Sequence, residues 1–392
     1  MALQRRQFLA AASLLPTPMQ LTLAQTAAAA TANDARFVFV LLRGGMDGLS
    51  AAPAIGDPDF MAARGALAEY GSAPLPLPGT IFALHPHLAG LHSMYQRGEL
   101  ALVHAAGLAY RERSHFDAQQ VLESGGNKPY ELVTGWLGRA LAAQGARSGV
   151  ALTTAVPLVL RGSDRIDTWA PSTLPDPSPD LVMRLEWLYA GDPALRDGLR
   201  RAKALRDQPG MAMGDGDTPP QGRQVALTLA RKGGEMLAAE RGPRVAVLEM
   251  GGWDTHANQA NPNGALANNL RTLDASLVAL RESLGTAWAR TVVLVATEFG
   301  REVAINGTRG TDHGSGGAAF VLGGAVAGGR TIGEWPGLAR SQRFEGRDLR
   351  VTTDLRAVIK GVLADHLRVP NAVIEAQVFP GSSPVRPMSV LA

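Results

Sequence analysis

At 392 residues, 46% of them hydrophobic, the chain is long enough for one large α/β domain or two smaller ones. Its 38 basic and 35 acidic residues leave a formal charge of only +3 and form no block of one sign, which argues against a nucleic-acid partner. Cysteine is absent, so disulfides, thiolate metal sites and a cysteine nucleophile are excluded.

The first segment reads as an address. Arg5-Arg6-Gln7-Phe8-Leu9 is a twin-arginine motif, an apolar run follows to Ala24, and the small residues Ala27–Ala32 suit cleavage. Residues 1–32 are therefore expected to be a leader read by the twin-arginine translocase, with residues 33–392 forming a single periplasmic domain. Beyond the leader no apolar run is long enough to span a bilayer.

Phe37–Leu42 is apolar at every position, as in a parallel strand covered on both faces. It ends in Arg43-Gly44-Gly45-Met46-Asp47-Gly48, which would set Asp47 at the carboxyl edge of the sheet. A turn aspartate satisfied by backbone N–H groups is the alternative. Residues 53–84 are rich in Pro, Gly and Ala and predict an irregular excursion. A short helix near Pro86 carries His85, His87 and His92, whose spacing does not favour a metal cluster.

Leu100–Ala105 predicts the next buried strand. Ser114 then starts a helix as N-cap, with Asp117 three residues on in a capping-box arrangement. The same residue can be read as a nucleophile, because a helix N-terminus among Arg111 and Arg113 stabilises anions and alkoxides. His115 would face that site. Residues 150–156 and 158–160 read as short strands, 164–179 as surface loop, 180–190 and 193–206 as helices, and 208–221 as a flexible connection. The stretch 151–222 is thus expected to be a helical insertion beside the sheet.

After a helix over 223–240 comes the strand 244–250, ending in Gly251-Gly252-Trp253-Asp254-Thr255-His256. A carboxylate and an imidazole two residues apart on such a loop can reach one metal ion. A helix over 264–283 with a leucine stripe leads to Thr291–Thr297, the strongest strand, which ends at Glu298; an ion pair with Arg301 is the plainer role for that acid. His313 sits among glycines, where no apolar face could hold it as a core residue. A closing helix spans 353–367, with His366 read as a favourable charge near its end.

Asp47, Asp254, His256, Glu298 and His313 are the candidates that converge as metal ligands; without sulfur, such a set favours zinc, manganese or a similar divalent ion. Ser114, Arg113 and His115 would form the catalytic group. At this point the chain resembles a known family. Arg5-Arg6, Arg43–Gly48, Arg113–Asp117, Gly252–His256, Thr297–Arg301 and Thr311–Gly314 are similar to the motifs of an exported bacterial family catalogued as domain of unknown function 1501, itself similar to the alkaline phosphatase and sulfatase superfamily. The resemblance implies an α/β fold with a mostly parallel central sheet flanked by helices on both faces. It implies a first-strand acid at Asp47, a helix-capping nucleophile at Ser114, and metal ligands at Asp254, His256 and His313. Phe299 stands where the superfamily has a ligand histidine, and the Asp254–His256 spacing is tighter than two-metal enzymes use.

The function expected is an exported metal-dependent hydrolase acting on small anionic phosphate or sulfate esters. The alternative is a non-catalytic periplasmic binding or assembly protein, with a co-exported protein partner, on the same fold. A serine hydrolase centred on Ser315 is a third reading; no Gly-x-Ser-x-Gly elbow supports it.

Overall fold

The computed structural model describes residues 34–145, 147–172, 177–206 and 222–391. The twin-arginine motif, the rest of the leader and the connection 208–221 lie outside the described residues. Among those described, no helix is long and apolar enough to cross a membrane.

Among the described residues, nine strands form the central sheet. In chain order they are β1 (Arg36–Leu42), β2 (Leu100–Gly107), β3 (Gly149–Ala151), β4 (Ile166–Thr168), β5 (Val245–Met250), β6 (Thr291–Thr297), β7 (Gly317–Leu322), β8 (Arg330–Ile332) and β9 (Thr353–Asp354). Their order across the sheet is β8-β2-β7-β6-β1-β5-β3-β4, with β9 against β2. Every pairing is parallel except the two made by β7, with β2 and with β6. This is the mostly parallel α/β sheet that the continuous apolar runs predict.

Both faces of the sheet are covered. On β1, Val38, Val40 and Leu42 join one apolar cluster, while Phe37, Phe39 and Leu41 join the other. The first face is covered by α1 (Ala89–Gln96), and later by α6 (Arg223–Ala238) and α7 (Ala265–Leu284). The second takes α2 (His115–Ser124), α3 (Trp136–Gln144) and α8 (Leu355–Gly361). The leucine stripe Leu266, Leu270, Leu273, Leu277 and Leu280 is buried, which fixes the face that α7 presents.

Helices α4 (Pro179–Tyr189) and α5 (Pro193–Arg206) lie where the helical insertion is expected, and α4 buries none of its residues. Three local expectations need correction. Residues 158–160 form a short turn of 3-10 helix instead of a strand. Residues 166–168, read as loop, pair with β3 as an edge strand too short to show periodicity. His366 is buried and Nε2 bonds the carbonyl of Arg36; burial pushes its pKa down to about 4, so it is neutral and carries no helix-end charge.

One feature of this topology places the site. Parallel strands β1, β2, β5 and β6 all end at the same edge of the sheet. Because β7 runs the other way, its first residue Gly317 pairs with Ala106 at the end of β2. The loop that precedes β7, carrying His313, therefore meets the loops that follow the other strands.

Candidate metal centre

Four segments meet at that carboxyl edge. Helix α2 brings His115 as its first residue, the loop after β5 brings Asp254 and His256, Glu298 follows directly on β6, and the loop before β7 brings Asp312 and His313. Two close approaches make this packing feasible. A Cβ on Gly310 would stand 2.2 Å from the backbone of His256, and one on Gly314 2.4 Å from the backbone of Arg301. Only glycine lets these loops lie in backbone contact.

The three imidazoles point one nitrogen each at a common place. His313 Nε2 lies 3.0 Å from His115 Nε2, 2.9 Å from His256 Nε2 and 3.2 Å from Asp254 Oδ1. His256 Nε2 is 3.0 Å from Asp254 Oδ1, and His115 Nε2 is 3.4 Å from Asp254 Oδ2. Ligands on a tetrahedral zinc ion at about 2.0–2.2 Å are separated by about 3.3–3.6 Å, so the separations among His115, Asp254 and His313 need change by only a few tenths of an ångström. His115, Asp254 and His313 form the tight core, with every ligand atom within 4.8 Å of the others. His256 joins along the His313–Asp254 edge.

The opposite nitrogen of every ring is anchored. His115 Nδ1 faces Glu298 Oε1 at 2.7 Å, His256 Nδ1 faces Asp312 Oδ1 at 3.1 Å, and His313 Nδ1 faces the carbonyl of Arg113 at 2.9 Å. Each partner only accepts, so each Nδ1 carries a proton, and in the neutral ring Nε2 then offers a lone pair to a cation at the centre. Three converging lone pairs repel unless a proton or a cation stands among them. A carboxylate or carbonyl that accepts from Nδ1 is the usual outer-layer partner of a metal-binding histidine. The donor set, nitrogens plus one carboxylate, fits a borderline divalent ion such as zinc.

Electrostatics follow the same geometry. The hydrogen bond to Glu298 raises the pKa of His115 above its ordinary value, against the effect of partial burial. Burial lowers that of His313, and the Arg113 carbonyl offsets it only in part. Burial disfavours the charged forms of Glu298 and Asp254, yet both are held below the usual carboxylate range. Glu298 is held by bonds from His115, Gln119 and Gly44, and Asp254 by Arg301. These side chains stay reachable: Asp254 is 43% exposed and His256 44%.

The sequence-predicted residues divide clearly. The structure brings together Asp254, His256, His313 and His115, the last foreseen as a catalytic residue. Glu298 is adjacent but not a ligand: Oε1 accepts from His115, Gln119 (2.9 Å) and the Gly44 N–H (2.8 Å), and Oε2 accepts from Thr297 (2.9 Å). Nor is it the partner of Arg301, which donates instead to Asp254 at 2.6 Å. Asp47 is a correction. It caps the helical turn Gly48–Ala51 and is buried against Arg64, Ser50 and Gln259, so its oxygens are taken and it stands outside the cluster. Arg113 is another: its guanidinium pairs with Asp348 at 2.8 Å and Glu345 at 2.6 Å, and it is the backbone carbonyl that serves the site. That carbonyl is aimed by a left-handed backbone (φ 58°), a strained conformation for a non-glycine residue. Ser114 caps α2 through its backbone, and its hydroxyl makes no cap bond.

Sequence reasoning overlooked Asp312 and Arg301 as site residues. The carboxylate beside His313 in the glycine loop was a legible signal for the first. Nothing local signalled the second. Phe299, buried, packs on the rings of His115 and His313 at centroid distances of 4.7 and 5.1 Å and walls one side of the cluster.

No curated protein matches the chain. Solved structures similar to it include a 2-O GAG sulfatase (10% identity, TM-score 0.41, covering 86% of this chain and 71% of that one). Others are the phosphonate monoester hydrolase of Agrobacterium radiobacter (13%, TM-score 0.41, 86% and 74%) and a sulfatase from Pseudoalteromonas sp. (14%, TM-score 0.33, 81% and 68%). The stretch from residue 190 to residue 378, which holds Asp254, His256, Glu298, Arg301 and His313, matches a family model. That family is described as Protein of unknown function (DUF1501), the family that the sequence motifs resemble.

Proposed function

We propose that the protein is a metal-dependent hydrolase of small phosphate or sulfate esters, carried to the periplasm by the twin-arginine translocase. The observation that carries the reading is the convergence of three Nε2 lone pairs on Asp254, each ring locked by an acceptor at Nδ1. His115, Asp254 and His313 would hold the ion, with His256 as the fourth ligand. Bound there, a divalent ion polarises an ester oxygen and lowers the pKa of a coordinated oxygen nucleophile. The chain's own groups supply the rest. Ser114, next to ligand His115 and free of capping duty, is the proposed nucleophile. Arg111, three residues before Ser114 in the chain and without a carboxylate at ion-pair distance among the described residues, is the proposed cation that draws in an anionic ester. Phe299 excludes water from one flank and leaves no place there for a second metal ligand.

Phe299 also favours the second reading, a non-catalytic binding protein that keeps one metal for structure. The two separate on p-nitrophenyl phosphate and p-nitrophenyl sulfate. The hydrolase reading expects turnover of one of them by zinc-loaded protein, abolished by chelator and by His115→Ala, and lowered at least a hundredfold by Ser114→Ala. Stoichiometric zinc with no turnover of either ester would leave the binding protein. Full activity in Ser114→Ala would remove Ser114 as nucleophile.

A further inference from the structure

Behind the cluster a chain of buried polar groups leads to Arg301, and beyond Arg301 the metal-centre reading gives them no role. Asp47, Gln259, Thr255, Thr311 and Arg301 are each 5% exposed or less. The direction of every bond follows from elementary donor and acceptor counts. A carboxylate only accepts, so Gln259 must turn its amide NH2 to Asp47 Oδ2. Its Oε1 then points the other way and accepts from the hydroxyls of Thr255 and Thr311, both at 2.7 Å. The single proton of Thr311 is thereby committed, so its oxygen can only accept, and Arg301 Nε donates to it at 3.1 Å. A second guanidinium nitrogen donates to the Thr311 carbonyl. Two arms of a rigid planar fork are now fixed, which fixes the third. That third arm donates to Asp254 Oδ1 at 2.6 Å.

We propose that Gln259 is a positioning residue for the metal ligand Asp254, acting through Thr311 and Arg301, with Asp47 setting the direction of each bond. The inference rests on the reading of the cluster as a metal centre. It also gives the buried Asp47 a function: reversing the polarity at that end would reverse Gln259 and leave the Thr311 hydroxyl facing an N–H donor. A purely structural network would hold the loop at 254–260 against Thr311 without affecting the ion.

The two are told apart by Zn2+ binding to metal-stripped protein, read by competition with a chromogenic chelator, together with melting temperatures with and without Zn2+. The proteins compared are the wild type, Thr311→Val, Thr311→Ser and Gln259→Met. Loss of a group bonded directly to a ligand weakens metal binding by about 10–100-fold, and because Thr311 and Gln259 act through Arg301 the loss expected is at the low end, about tenfold. Thr311→Val and Gln259→Met should show that loss and a smaller Zn2+-induced rise in melting temperature, and Thr311→Ser should restore wild-type binding. Should Gln259→Met fail to fold, the Thr311 pair decides alone. Folded Thr311→Val that melts lower without metal yet binds Zn2+ as the wild type does would overturn the inference and leave the metal centre standing. A wild type that takes no Zn2+ would overturn the metal centre and the inference with it.

Discussion

A carboxylate at the end of a strand is a candidate ligand only if its oxygens are free, and the two acids Asp47 and Asp254 show the difference. Asp254 faces three imidazoles, and one guanidinium engages only one of its oxygens. Asp47 receives Arg64, Ser50, Gln259 and two backbone N–H groups in full burial. Burial alone would raise its pKa; the charge and bonds of Arg64, with Ser50 and Gln259, bring it below the ordinary value. The sign of the pH effect follows. A carboxyl whose folded pKa is depressed stabilises the fold above its unfolded value of about 3.9, and that contribution is lost as pH falls through the lower folded value. Asp47→Asn should therefore cost about 3–5 kcal/mol in chemical denaturation at neutral pH, because it leaves Arg64 buried without a counter-charge. The variant should also lose the acid-limb dependence that the wild type shows. Equal stability of the two proteins at pH 7 would contradict this account of Asp47. From the sequence alone Asp47 and Asp254 look equivalent, since each follows a buried strand and a pair of glycines. The residues that distinguish them, Arg64, Gln259 and Arg301, reach them through tertiary contacts that no local pattern encodes.

At the scale of elements, the sheet itself was largely legible. Continuous apolar runs gave β1, β2, β5 and β6, and the leucine stripe gave α7, because each of these elements is long enough to show its period. Strands β4 and β8, three residues each, are too short to show one. The antiparallel setting of β7 was not legible either, and it is what delivers His313, since only a reversed strand brings its preceding loop to the carboxyl edge. The glycines of that loop were read as a reason to doubt a core role for His313, and the structure gives their physical purpose. Gly310 touches the backbone of His256, and a side chain there would collide with it. Gly310→Ala should therefore shift the loop that carries His256 and weaken Zn2+ binding at least tenfold while far-ultraviolet circular dichroism stays unchanged. Wild-type affinity in this variant would show that His256 is not held by that contact.

Across the whole molecule, the apolar clusters lie on the two faces of the sheet, and the candidate site lies at its polar carboxyl edge. Phe39 is fully buried and meets Trp136 edge-on, with ring centroids 5.5 Å apart. Phe39→Ala should cost about 3–5 kcal/mol of unfolding free energy, through lost burial and the cavity left behind. Its metal stoichiometry at a temperature where it remains folded should match that of the wild type. Coupled loss of metal and stability in this variant would mean that the edge is not a separable site.

In the proposed site His115, Asp254 and His313 hold a divalent ion. This is tested most directly by elemental analysis of protein exported and purified without chelator, with His115→Ala and Asp254→Ala beside it. The account predicts a stoichiometric divalent metal in the wild type and its loss from both variants while they remain folded. Folded wild-type protein that carries no metal and takes up none on exposure to zinc or manganese would contradict it.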